Sequence, residues 1–213
     1  MNPLLRSLVA PIGERVLHSR KVYLRAPQLR DFEPWTAVRE ESRDFLIPWE
    51  PTWPHDALTR AAFRRRLRRY EQDARDDAGY AFFVFLRGDD TLVGGVTLSN
   101  VRRGVTQSCS MGYWMGQACA RNGYMRDALH ALIPFIFDEM GLHRIEAACI
   151  PTNAPSRRLL HTLGFTREGY ARQYLCINGV WQDHLLFAML ATDLRPGSNA
   201  AAALIGEGAL GKG

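Results

Sequence analysis

Met125, Ala128, Leu129, Leu132, Ile133, Ile136, Phe137 and Met140 recur at intervals of three and four residues, while Asp127, His130, Asp138 and Glu139 fill the opposite face. This spacing predicts an amphipathic helix from Tyr124 to Met140 with one side packed on a sheet. Pro134 lies inside it and lacks an N–H, so a bend is expected there. Just before the helix, Met111-Gly112-Tyr113-Trp114-Met115 reads as a strand and Gln117 to Gly123 as a polar loop. The free N–H groups of the helix start then point back into that loop, an arrangement that binds phosphate. A second strand follows the helix, and Asn153-Ala154-Pro155-Ser156 opens another helix.

Elsewhere the pattern alternates between the two periods. After an irregular lead-in over residues 1–19, Val22-Tyr23-Leu24-Arg25 begins the first strand. Asp31 is placed to cap a helix reaching Glu41, and Asp56 to cap a second reaching Asp77. Between them Phe45 to Pro54 holds three prolines, which predict a rigid aromatic loop carrying Trp49, Glu50 and Trp53 rather than regular helix. Tyr80 to Leu86, Leu92 to Leu98 and Gln107 to Met115 read as an antiparallel meander, with a turn at Gly88-Asp89-Asp90. Tyr170 to Ile177 and Val180 to Leu190 flank Asn178-Gly179, a dipeptide suited to a two-residue type I′ turn. The Gly- and Ala-rich stretch from about Pro196 predicts a disordered tail, so one folded domain is expected over 20–192 with a tail over 193–213. The order of elements is that of an α/β (α+β) protein, a mixed sheet with helices on its faces.

Composition narrows the class. With 213 residues and 46% hydrophobic content, one well-packed domain is expected. The segment Leu4 to Ile12 is too short to span a bilayer, is interrupted by Arg6 and Pro11, and has no cleavage pattern after it. A cytoplasmic protein without a membrane partner is therefore expected. Cys109, Cys119, Cys149 and Cys176 have no paired spacing, which argues against a metal cluster or disulfide framework, and Cys119 in the loop before Gly123 is the cysteine placed for reactivity. The net charge of +5 gathers at Arg60, Arg64, Arg65, Arg66, Arg68 and Arg69. That cluster is either a solvated helix face or an anion-facing surface, for cofactor phosphates or ribosomal RNA.

A set of short motifs adds to this reading: Phe45-Leu46-Ile47-Pro48-Trp49-Glu50-Pro51, Leu98-Ser99-Asn100-Val101, Gly112-Tyr113-Trp114, Gly123-Tyr124-Met125, Leu142-His143-Arg144-Ile145, Asn153 with Ser156, Leu163-Gly164-Phe165, Glu168-Gly169-Tyr170, and Asn178-Gly179 with Trp181 and Asp183-His184. In order and spacing, over about 20–190, they resemble the GNAT superfamily of acetyl-CoA-dependent N-acetyltransferases, and within it the bacterial ribosomal-protein-alanine N-acetyltransferases. The resemblance implies a twisted, mostly antiparallel sheet whose parallel central strands splay apart in a V. It places the pantetheine arm of acetyl-CoA beside Tyr113, Trp114 and Met115, and the pyrophosphate on the N–H groups of Arg121, Asn122, Gly123, Tyr124, Met125 and Arg126. Asn153 would bond the pantetheine or position the following helix, and Ser156 would sit near the cofactor sulfur. The family loop carries two glycines around a basic residue, whereas Ala120-Arg121-Asn122-Gly123 keeps only the glycine that begins the helix. Arg121 or Arg126 is then the substitute charge.

Acyl transfer to an amine needs a neutral amine, donors for the oxyanion and a proton for the departing thiolate. Main-chain N–H groups at Trp114 and Met115 answer the second need. Ser156 answers the third, unless its hydroxyl only caps the helix it opens. For a base, Glu50 either takes a proton or holds a cationic amine, with Glu146, His55 and His184 as alternatives. Trp49 and Trp53 would wall the acceptor site, and no metal is called for. An α-amine has a pKa of roughly 8 against about 10.4 for lysine, so an enzyme without a strong base suits a protein N-terminus, such as that of a ribosomal protein. Small amines and antibiotics are the alternative acceptors, and a non-catalytic ribosome- or RNA-binding factor using Arg64 to Arg69 is the alternative of another class. Monomer and homodimer both remain open.

Overall fold

The third strand, β3 (Tyr80–Leu86), is apolar on both sides, and its alternation divides the molecule into two cores. Tyr80, Phe82 and Val84 join one cluster, Phe83 and Phe85 the other. Around it the computed structural model, which describes residues 15–194, builds an eight-stranded sheet. The remaining strands are β1 (Leu17–His18), β2 (Val22–Arg25), β4 (Leu92–Arg102), β5 (Ser108–Met115), β6 (Arg144–Cys149), β7 (Thr166–Ile177) and β8 (Val180–Leu190), in the spatial order β1-β2-β3-β4-β5-β6-β8-β7. All neighbouring pairs are antiparallel except β5 and β6.

That one parallel pair makes the site. Its register covers only Ser108 with Arg144, Cys109 with Ile145 and Ser110 with Glu146. Beyond Ser110 the strands part: β5 stays paired with β4 as far as Met115, and β6 with β8 as far as Cys149. The main chain of Met111 to Met115 is thus left with one edge open, which is the V-shaped splay expected from the resemblance.

Helices cover both faces. On one side lie α4 (Tyr124–Pro134) and α5 (Ala154–Thr162); on the other, α1 (Phe32–Glu41) and α3 (Arg60–Arg75), with α2 (Arg43–Leu46) a single turn between them. The predicted face of α4 is the buried one, with Ala128, Leu129, Leu132 and Ile133 fully enclosed. Truncating Leu129 to Ala is expected to cost about 2–5 kcal/mol, read as a lowered denaturant midpoint with an unchanged slope. At Pro134 the missing N–H interrupts the ladder, and the chain continues as a wider π turn over Phe135–Glu139, closed by Met140 N–H donating to the Phe135 carbonyl at 3.0 Å. The second core centres on Phe63, whose ring meets Trp35 at 4.9 Å and Phe32 at 5.6 Å.

Several boundaries differ from those expected. Asp31 precedes α1 without capping it, because its carboxylate is taken by Arg25 at 2.8 and 2.6 Å and by the Gln28 N–H at 2.7 Å. Asp56 does not start α3; Thr59 does, its hydroxyl accepting from the Ala62 N–H at 3.2 Å, while Asp56 pairs with Arg65. The proline-rich segment begins in helical turns, α2 and Ile47–Trp49, and Pro48 fits there because an early helical position needs no N–H donor. Within the expected lead-in, Leu17–His18 pair with β2; the rest of that lead-in before residue 15, and the tail expected from Pro196, lie outside the described residues. The arginine cluster falls on α3. Arg60 pairs with Glu33, Arg65 with Asp56, and Arg66 lies over the Trp35 ring, while Arg64 and Arg68 point outward and exposed.

Candidate active site

Alternation along β5 sends neighbouring side chains to opposite cores. Tyr113 and Met115 pack toward α4 and α5, and Trp114 packs toward α1 and α3. Tyr113 thereby reaches the start of α5, where its hydroxyl lies 2.7 Å from Ser156 Oγ. The capping of α5 falls to Asn153, whose Oδ1 accepts the Ser156 N–H at 3.1 Å. Of its two expected roles, Asn153 therefore fills the second and positions the helix, while the Ser156 hydroxyl is released from capping. Burial pushes the Tyr113 phenol above its ordinary range, against a lowering by the Ser156 hydrogen bond, so it remains an O–H donor at neutral pH.

The loop after β5 is anchored at its base. Gly116 approaches α1 so closely that a Cβ there would stand 2.7 Å from Val38 Cγ1, and the Gln117 N–H donates to the buried Ser42 hydroxyl at 2.8 Å. Arg121 (φ 66°) and Gly123 (φ 78°) both adopt left-handed backbone. The first bond of α4 runs from the Asp127 N–H to the Gly123 carbonyl at 3.0 Å, and no side chain among the described residues caps the helix, so the N–H groups of Tyr124 and Met125 have no intrahelical acceptor. Asp127 accepts from the main chain of Lys21 at 2.7 Å, and the Lys21 ammonium donates to the Asn122 carbonyl at 3.3 Å. A basic concavity of about 730 Å³, lined by Arg20, Lys21, Arg87, Asn122 and Tyr124, adjoins this helix start. Uncapped N–H groups, nearby cations and the open edge of β5 together fit a phosphate-bearing molecule with an extended arm. Gly123→Val would force a β-branched residue into left-handed backbone, and an increase of about tenfold in the Kd for acetyl-CoA is expected by calorimetry.

Across the sheet, the loop expected to wall the acceptor site is closed on itself. Glu50 accepts from Arg39 Nη1 at 2.7 Å, Arg39 Nη2 at 2.5 Å and Trp53 Nε1 at 2.8 Å. The Trp53 ring carries Arg39 at 4.2 Å and Arg43 at 5.2 Å. Trp53 is thus a brace in this structure, and Phe45 and Trp49, each 36% exposed, are the open aromatics of the segment. With three donors on its carboxylate, Glu50 is not placed as a free base. Glu146 accepts from Arg144 Nε at 2.8 Å, and His184 is buried with Nδ1 2.9 Å from the Gln182 carbonyl, while His55 lies exposed on the surface.

Two features escaped the sequence reading, and the expectation for Cys119 changes. Arg39 shares the buried stripe of α1 with Phe32 and Trp35, a spacing of three and four that would have exposed it. Lys21 reaches the phosphate loop from 101 residues away, with no local signal. Cys119, expected to be reactive, has its thiol pushed up by burial, and Cys109 is pushed up to about 12 by burial and by Glu146. Cys176 is the exposed cysteine. Alkylation of the folded protein followed by mass spectrometry should therefore modify Cys176 first and Cys109 only on unfolding.

The family model described as acetyltransferase (GNAT) domain matches residues 21–166. The chain belongs to the GNAT acetyltransferase family. It is 36% identical to the ribosomal protein uS5 alanine N-acetyltransferase of Escherichia coli (strain K12), over 74% of this chain and 81% of that protein. The Bacillus subtilis (strain 168) relative YjcK, named for N-acetyltransferase activity without an acceptor, is 35% identical over 84% of this chain and 98% of its own. Among solved structures, Mycobacterium smegmatis RimJ in complex with CoA-disulfide superposes with a TM-score of 0.83 at 32% identity, covering 92% of this chain and 95% of that one. The GNAT chain described here is accordingly an acetyl-CoA-dependent N-acetyltransferase. Among the described residues, no group of His, Cys, Asp and Glu is gathered to hold a metal, and no helix is long and apolar enough to cross a membrane.

Proposed function

We propose that this GNAT enzyme acetylates the N-terminal α-amine of a protein in the cytoplasm, a ribosomal protein with N-terminal alanine being the first candidate, by direct attack in a ternary complex. The observation that carries the reading is a half-buried proton-donor pair whose candidate carboxylate bases are both engaged: Tyr113 and Ser156 are joined at 2.7 Å, whereas Glu50 and Glu146 are each held by an arginine. Such a site suits an amine that is already partly neutral near pH 7. The uS5-alanine specificity in the name of the Escherichia coli relative supports the same acceptor.

Acetyl-CoA supplies the activated thioester. Main-chain groups along Met111 to Met115 line its arm, the N–H groups of Tyr124 and Met125 receive its pyrophosphate, and Lys21 adds charge beside them. Trp49, Glu50 and Trp53 form one wall for the incoming peptide. As the C–N bond forms and the C–S bond breaks, the Tyr113–Ser156 pair delivers a proton to the departing sulfur, the amine releases its own to solvent, and the pair regains a proton from solvent. Exposed Arg64 and Arg68 give the enzyme a face on which ribosomal RNA could guide delivery of the acceptor; neutralising both should flatten the salt dependence of rRNA binding by about two units of slope.

The test compares kcat/KM for an alanine-initiated uS5 peptide with that for free alanine and for a polyamine. A preference for the peptide is expected. A preference for either small amine would replace this reading with a small-molecule N-acetyltransferase, and acetyl-CoA binding without turnover of any of the three would refute both.

A further inference from the structure

We infer that Arg39 is a positioning residue that registers the acceptor wall on the strand holding the cofactor. Arg39 as a whole is 7% exposed, and its guanidinium joins three elements at once. From α1 it grips both oxygens of Glu50, lies 4.2 Å from the centre of the Trp53 ring and 4.9 Å from that of Trp114 on β5. Glu50 extends the linkage further, because its main-chain carbonyl accepts the Asn178 N–H at 2.9 Å from the β7–β8 turn. Through this one side chain, the proline-rich loop and the tip of the hairpin are tied to the residue next to Tyr113.

The cost of the arrangement argues against a purely stabilising role. Among the described residues, Arg39 Nε is buried without a hydrogen-bond partner, a kind of group that native proteins seldom tolerate. A buried ion pair is also a weak stabiliser, and an apolar replacement of both members is often neutral. What an apolar side chain does not supply is a planar fork for a carboxylate combined with a flat cationic face for indole rings. Those two properties fix Trp53 and Glu50 in distance and angle relative to Trp114. Fixing one wall against the cofactor strand pre-organises the surface that receives the acceptor, so its loss falls on acceptor binding rather than on the chemical step.

The inference rests on the acceptor being an N-terminal peptide, and its test separates the two. Arg39→Met, Arg39→Lys and the double variant Arg39→Met with Glu50→Gln are compared with the wild type, the double variant avoiding a carboxylate left unpaired. For Arg39→Met the KM for the alanine-initiated peptide should rise about tenfold or more, with kcat changed less than about threefold and the Kd for acetyl-CoA unchanged. Arg39→Lys should recover part of the loss, since it keeps the charge but not the fork. The double variant should unfold within a few degrees of the wild type and still show the raised KM. An unchanged KM in the folded double variant, or equal losses of kcat and acetyl-CoA affinity in Arg39→Met, would overturn the assignment. If the wild type turns over only a small amine, the peptide reading fails, and the same KM comparison on that amine decides the role of Arg39.

Discussion

Replacing Ser156 by Ala should lower kcat by about 10²-fold while leaving the Kd for acetyl-CoA unchanged, the range of loss that removal of a general acid produces. A leaving CoA thiolate is basic enough to take up a proton near pH 7, and the Tyr113–Ser156 hydroxyl pair stands at the open stretch of β5 to donate one. Ser156 is free for that task because Asn153 has taken over the cap of α5. Tyr113 stands behind it as a phenol that burial keeps protonated. Tyr113→Phe should therefore lower kcat by a similar factor, and the double variant should be little worse than either single one, since both belong to one relay. Steady-state kinetics combined with acetyl-CoA titration checks all three. Full turnover by Ser156→Ala would remove Ser156 from the mechanism.

The second large effect concerns acceptor choice and its dependence on pH. On the proposed reading, with Glu50 and Glu146 both engaged by arginines, the enzyme would take amines in the neutral form present in solution. At pH 7 an α-amine of pKa near 7.8 is about 14% neutral and lysine about 0.04%, a difference of roughly 350-fold. At pH 9 the same pKa values give about 94% and about 4%, a difference of roughly 25-fold. Preference for the α-amine over lysine should accordingly fall by about fourteenfold between pH 7 and pH 9, because lysine gains neutral amine long after the α-amine has saturated. Competition between α-acetylation and ε-acetylation on one peptide, followed by mass spectrometry across that range, measures it. A selectivity independent of pH would show that an enzyme group, not the amine itself, controls deprotonation.

How far the sequence carried the fold depended on how local each signal was. The period of α4 and the Asn178-Gly179 turn are contained within short windows, and both appear in the structure where they were expected. Caps were less legible. Asp31 and Asp56 have the right side chain in front of an apolar run, but an arginine six or nine residues away captures each carboxylate, and a charge-assisted pair is stronger than a cap bond. β1 is two residues long and exists only because β2 lies beside it. The splay followed from the family resemblance, since nothing in the residues of β5 or β6 announces that their pairing ends at Ser110. At the site, Tyr113 and Ser156 were each named, yet their partnership spans 43 positions and needed the sheet and α5 to be seen. Glu50 shows the opposite case: its motif was visible, and the arginine that holds it sits one helix earlier.

The most direct test of the central claim is mass spectrometry of two peptides after incubation with acetyl-CoA, one with a free and one with a blocked N-terminal alanine, each carrying an internal lysine. One added acetyl group on the free α-amine, and none on the blocked peptide, is the predicted result. Acetylation of lysine in both peptides, or of neither peptide, would contradict an enzyme built for protein N-termini.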